Sequence, residues 1–186
     1  ITIKADALEL GSGARLRGQG GGARMLITSE RDVNVGTGAD ANRGDALALS
    51  EETLKKIDNA DVTIASNGGE VVVGGSLHLD GSDYLRNLTL GADGTRLVQV
   101  NASTRVNGTL GMNAREVIAG AAMEANAFSI VADRLSLNNT MTGNLASIRP
   151  ASAGYHIELG SAGCVNATKC LLIKDLYRVK VPTLEI

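Results

Sequence analysis

The sequence predicts an all-β chain, a parallel β-solenoid of about eight coils, on three observations. Short apolar-x-apolar beats recur from end to end, and alternation over three to five residues is the period of a strand with one buried and one wet side. Glycine reaches 23 residues against two prolines, with one Phe and no Trp, a composition that suits tight turns around a narrow aliphatic interior. The chain also repeats itself. Leu54, Ile57, Ala60, Val62 and Ile64 reappear 122 residues later as Leu176, Val179, Pro182, Leu184 and Ile186. Ile1-Thr2-Ile3 is the same strand-like triplet as Val62-Thr63-Ile64, and chains that repeat in this way stack rather than form one rounded core.

Taken in order, Ile1/Ile3, Leu8/Leu10, Val33/Val35, Leu47/Leu49, Val62/Ile64, Val71/Val73, Leu77/Leu79 and Leu88/Leu90 mark strands of the first half. Val98/Val100, Leu110/Met112, Ile130, Leu135/Leu137, Ile157/Leu159, Leu171/Ile173 and Leu184/Ile186 mark those of the second. Gly20-Gly21-Gly22, Asn67-Gly68-Gly69, Gly74-Gly75, Asp93-Gly94 and Asn107-Gly108 punctuate them as turns. A hairpin-built sandwich would use longer strands and aromatic packing between its sheets. At roughly 20 to 25 residues per coil, the chain makes a single stacked segment over residues 1–186, with repeat phrases at 49–64 and 171–186. One helical turn is expected at Ser50 to Ile57, where Ser50 can cap and Glu51-Glu52 sit at the positive end.

Charge is nearly balanced, 18 basic against 20 acidic residues, with no basic cluster, which argues against a nucleic-acid partner. No apolar run approaches the roughly 20 residues that cross a bilayer, so no membrane insertion is expected. The chain starts in a strand pattern without an initiator Met and reads as a piece of a longer protein.

The phrase LALSEETLKKIDNADVTIAS, followed by VVVGGSLHLD and NLTLGADG, and its second version CLLIKDLYRVKVPTLEI, resemble the filamentous-haemagglutinin-like large exoproteins of Gram-negative bacteria. The resemblance implies a right-handed parallel β-helix, secretion by a dedicated outer-membrane partner, and a role as adhesin or as stalk for a toxin domain. It is a pattern of ladders and turns, so its functional content is analogy.

Catalysis is not expected. The motifs of β-helix polysaccharide hydrolases are absent, and acidic pairs such as Asp80/Asp83 and Asp58/Asp61 read as polar residues on a wet side. His78 and His156 point outward on strands without partner constellations. Asp40, Asn42 and Glu51 fit positions of a calcium loop, but Gly44 and Asp45 stand in the wrong order, so no metal site and no cofactor is expected.

Arg43-Gly44-Asp45 is the sharpest receptor-binding candidate, similar to the tripeptide read by animal integrins; a turn into the next strand is the plain alternative. Sequons start at Asn87, Asn101, Asn107, Asn138 and Asn166 and are candidate glycosylation sites, though Asn and Thr are also what bends use. Cys164 and Cys170, six apart, favour a local disulfide over two buried thiols. The sequence therefore reads as a structural or adhesive segment of a secreted surface fibre, with a host receptor or glycan as partner. A passive stalk and a carbohydrate-active enzyme are the competing readings.

Overall fold

A computed structural model describes residues 1–5, 8, 10–19, 22–37, 46–92, 94–160 and 170–186. The chain is all-β, and every strand pairing among the described residues is parallel. A sandwich of hairpins would need antiparallel neighbours.

The strands form three rows. The first runs β1 (Thr2–Lys4), β3 (Arg24–Ser29), β7 (Asp61–Ser66), β10 (Asn87–Leu90), the end of β12 (Thr104–Asn113), the end of β14 (Met123–Val131), β17 (Leu145–Arg149) and β21 (Thr183–Glu185). The second runs β5 (Ala46–Leu49), β4 (Asp32–Val35), β8 (Glu70–Val73), β11 (Leu97–Val100), β13 (Glu116–Ala119) and β15 (Arg134–Leu137). Beside β15 lies the pair β19 (Cys170–Ile173) and β18 (His156–Leu159). The third comprises β9 (Leu77–Leu79), the starts of β12 and β14, β16 (Met141–Thr142) and β20 (Val179–Lys180), and β2 (Leu16–Arg17) and β6 (Ile57–Asp58) form a separate two-stranded sheet. A register shift between Val106 and Thr109 bends β12 from the third row into the first.

From β7 to β17 the chain visits first, second and third rows in fixed cyclic order; β18 and β19 then lie side by side before β20 and β21. Neighbouring positions in a row are 37 residues apart between Glu30 and Asn67, 26 between Asp61 and Asn87, 22 between Asn87 and Thr109, and 18 between Asn126 and Asn144.

Parallel register turns the period-two pattern into buried columns. One column of the first row is Met25, Val62, Leu88, Leu110, Phe128 and Ala146, and the next is Ile27, Ile64, Leu90, Met112, Ile130 and Ile148. The second row contributes Val33, Val71, Val98, Val117 and Leu135. Phe128 is the single large ring inside, 1% exposed, and stands across from Ala146. A Cβ on Gly143 would come within 3.1 Å of its ring, so two small residues make its space.

The bend between the first and second rows is closed by stacked hydroxyls. Ser29 Oγ accepts from Arg31 N, Ser66 Oγ donates to Arg31 O and accepts from Gly69 N, and Thr95 Oγ1 donates to Ser66 O. All three hydroxyl residues are buried, so these bonds satisfy backbone groups that a bend removes from the ladder.

The repeated phrases fold alike. In the first, α1 (Glu51–Leu54) leads through β6 into β7; in the second, a 3-10 turn (Leu176–Arg178) leads through β20 into β21. Ser50 Oγ caps α1 by accepting from Thr53 N at 3.1 Å, as the sequence predicts. The second connection is two residues shorter between Ile173 and Val179 than between Leu49 and Ile57, which tightens the turn from α to 3-10.

Candidate binding surface

The outward positions of the first row build a shallow trough along the stack. Its floor is Thr63, Thr89, Gly111 and Ser129, which lie in one register on β7, β10, β12 and β14. Side chains at this register are separated by the strand spacing, about 4.8 Å. Gly111 keeps the floor low, because a Cβ there would sit 2.8 Å from Thr89 Oγ1.

One wall is a polar ladder two residues earlier on the same strands. Asn87 Nδ2 donates to Asp61 Oδ1 at 2.7 Å, and Thr109 N donates to Asn87 Oδ1 at 2.7 Å. Arg86 Nη2 lies 3.2 Å from the same Asp61 oxygen. The other wall is Asn113, Val131 and Arg149, which are aligned across β12, β14 and β17. Arg24 and Arg149 stand at opposite ends of the trough and are exposed.

Among the described residues that line the trough, Asp61 is the sole carboxylate. The trough offers hydroxyls, amides and terminal guanidinium groups, all suited to hydrogen-bonding an extended polar chain.

The acidic pairs singled out in the sequence are divided by the fold. Asp58 is buried on β6, with Oδ1 3.0 Å from Arg15 Nη1 and Oδ2 3.2 Å from Arg17 Nε, whereas Asp61 faces the trough. Asp58 and Asp83 share one depression with Arg15, Arg17 and Arg86. Asp80 and Glu124 share another with Arg105, whose Nε is 3.4 Å from Glu124 Oε2. In both places the acids stand beside arginine, three in the first and Arg105 in the second.

His78 lies outward on β9 in register with Arg105. His156 is exposed on β18, with Nε2 3.0 Å from Glu158 Oε1. Ligand atoms of His156, Glu158 and Cys170 all fall within 4.8 Å of one another, a group the linear spacing hides because β18 and β19 bring His156 opposite Cys170. Cys170 is disulfide-bonded, and a disulfide sulfur is not the thiolate that binds metal. Cys164 lies outside the described residues.

Arg43, Gly44 and Asp45 also lie outside the described residues, as do Asp40, Asn42 and Asn166. Glu51, the remaining position of the calcium-loop count, accepts hydrogen bonds from Lys55 Nζ and Thr37 Oγ1. Asn101, Asn107 and Asn138 are exposed, whereas Asn87 is partly buried and both polar atoms of its amide are bonded within the trough wall. The trough itself was not visible in the sequence. Its neighbouring residues on adjacent strands are 18 to 37 apart, and only the parallel register gathers them.

No family model, curated protein or solved structure matches the chain.

Proposed function

We propose that the chain is a segment of right-handed parallel β-helix, about eight coils long, in a fibre secreted to the surface of a Gram-negative bacterium through an outer-membrane partner. The eight strands of the first row and the cyclic order of the three rows support the coil reading. The resemblance of its repeated phrases to filamentous-haemagglutinin-like exoproteins supports the fibre.

Its work is attachment to a host or neighbouring cell. The observation that carries this is the trough over Thr63, Thr89, Gly111 and Ser129, an outward run of hydrogen-bonding groups with the regular spacing of an extended polymer. A surface glycan fits that chemistry. The purified chain is tested on epithelial cells and a glycan array beside a Thr63→Arg/Thr89→Arg variant and an Asp45→Glu variant. Loss of binding in the double variant alone supports the trough, and loss in Asp45→Glu alone moves the activity to residues 43 to 45.

A passive stalk is the second reading, favoured by the way Asp61, Asn87 and Thr109 bond to one another across the wall. Absence of binding by the unmodified chain in both assays supports it.

A further inference from the structure

Two Asn-Gly pairs punctuate the chain, Asn67-Gly68 and Asn107-Gly108, and the fold treats them differently. Asn67 lies at the bend between the first and second rows. Its Nδ2 donates to Glu30 Oε1 at 2.9 Å, and the Gly68 N–H that follows donates to Gly94 O at 3.0 Å. Both its amide and the next backbone nitrogen are thus held.

Asn107 lies where β12 bends from the third row into the first. Val106 is in register with Ala125 and Thr109 with Ala127, so Asn107 and Gly108 together face Asn126, two residues against one. Among the described residues, no strand register includes either of them. Asn107 is exposed, and among the described residues no side-chain hydrogen bond holds its amide.

Gly108 is required where it stands. A Cβ there would come within 1.9 Å of Arg86 O and 2.5 Å of Asn87 Oδ1, so the chain passes too close to the strand beneath for any side chain. The residue that packing demands is also the one that shields its backbone nitrogen least from the side chain before it.

We propose that Asn107 is a self-modifying site, which loses its side-chain ammonia to give aspartate and isoaspartate while Asn67 stays intact over the same period. The Gly108 nitrogen, deprotonated by solvent hydroxide, attacks Asn107 Cγ. The bond from Cγ to Nδ2 breaks, ammonia leaves and a cyclic imide forms. Water then opens the imide at either carbonyl, so the net change is one water taken up and one ammonia released. The isoaspartyl product adds a methylene to the main chain, and because the register already shifts at this point, no paired rung is broken.

Asp80, Asn107 and Asn126 directly follow the aligned residues Leu79, Val106 and Ala125, and Asn144 Nδ2 donates to Asn126 Oδ1 at 2.8 Å. The new carboxylate therefore joins Asp80 in a column of otherwise neutral amides, spaced at about 4.8 Å. It also ends the sequon at Asn107, so glycosylation and deamidation of this residue exclude each other. Asn107 is not among the residues that line the trough, so attachment and self-modification can fail separately.

The test incubates the 186-residue chain at mildly alkaline pH, folded and in urea, and locates the mass gain by tandem mass mapping. Isomerisation at Asp80-Gly81 changes no mass and does not interfere. In the folded chain Asn107 is expected to convert about tenfold faster than Asn67, whose two hydrogen bonds must break first. In urea, where both are bare Asn-Gly pairs, the rates converge. Asn107→Gln, at an exposed position, removes the fast phase of ammonia release, because glutamine must close a larger ring. Equal rates in the folded chain, a difference that persists in urea, or an unchanged fast phase in Asn107→Gln overturns the proposal.

Discussion

Asn87 bridges two strand neighbours at once: its Nδ2 donates to Asp61 Oδ1 below, and its Oδ1 accepts from Thr109 N above, both at 2.7 Å. Asn87→Ala removes both bonds and leaves the Thr109 N–H without its acceptor. A loss of about 1 to 3 kcal/mol is expected, read by urea denaturation. The same bonds hold the Asn87 amide away from modification. An Asn-x-Ser/Thr glycosyltransferase acting on the folded chain should therefore modify exposed Asn107 and Asn138 before Asn87, as peptide mass mapping would report.

Phe128 is the ring on which the middle of the core closes, with Ala146 across from it and Gly143 beside it. Small neighbours cannot swing in to fill the space it leaves. Phe128→Ala should cost about 3 to 5 kcal/mol, and Phe128→Leu clearly less. Equal denaturation midpoints for the two variants would contradict this packing.

Gly36 and Gly160 share a positive φ, but among the described residues only Gly36 has a close neighbour, the Gly75 carbonyl. Substitution by Ala strains the backbone at both, by about 1 to 3 kcal/mol. At position 36 it must also displace the Gly75 carbonyl, so Gly36→Ala should destabilise the chain by at least about 1 kcal/mol more than Gly160→Ala. Matching thermal midpoints would count against the β4–β8 contact.

Burial pushes the Glu51 carboxyl up, but hydrogen bonds from Lys55 and Thr37 and the Lys55 charge outweigh it and hold its pKa below the ordinary value. The Glu51 hydrogen bond raises Lys55 in turn, against an opposing effect of burial. With a lowered folded pKa, the stability from Glu51 is present above the unfolded carboxylate pKa and lost as pH falls through the folded one. That from Lys55 is present below the unfolded lysine pKa and lost as pH rises through its folded value. Glu51→Gln should flatten the acid limb of a stability-against-pH curve; an unchanged limb would exclude the pair as its source.

The inward columns were legible because Val71/Val73 or Leu88/Leu90 write a period of two directly into the chain, and the Ser50 cap because its partner is three residues away. The division of Asp58 from Asp61 was not: a bend between β6 and β7 separates them, and Asn59, with φ 50°, makes that bend without a Gly or Pro signal. The trough and the His156, Glu158 and Cys170 cluster depend on register between distant strands, which no local spacing encodes. Nor does the pattern of beats reveal that β4 and β5 lie side by side in one row within a single repeat.

The spacing of the rows also sets a folding order. Closing a loop costs entropy that grows with its length, so a turn of 37 residues, as between Glu30 and Asn67, costs about 0.6 kcal/mol more to close than one of 18, as between Asn126 and Asn144. Apart from the short β4–β5 and β18–β19 pairings, the cheapest turns to close lie between Thr104 and Arg149, where the two longest strands also pair. Assembly is thus expected to begin there and spread one turn at a time towards both ends, each finished turn serving as the template for the next. Pulse-labelled exchange that protected β1 or β21 first would reverse that order. A stack built in this way does not need its whole length present at once in order to start folding.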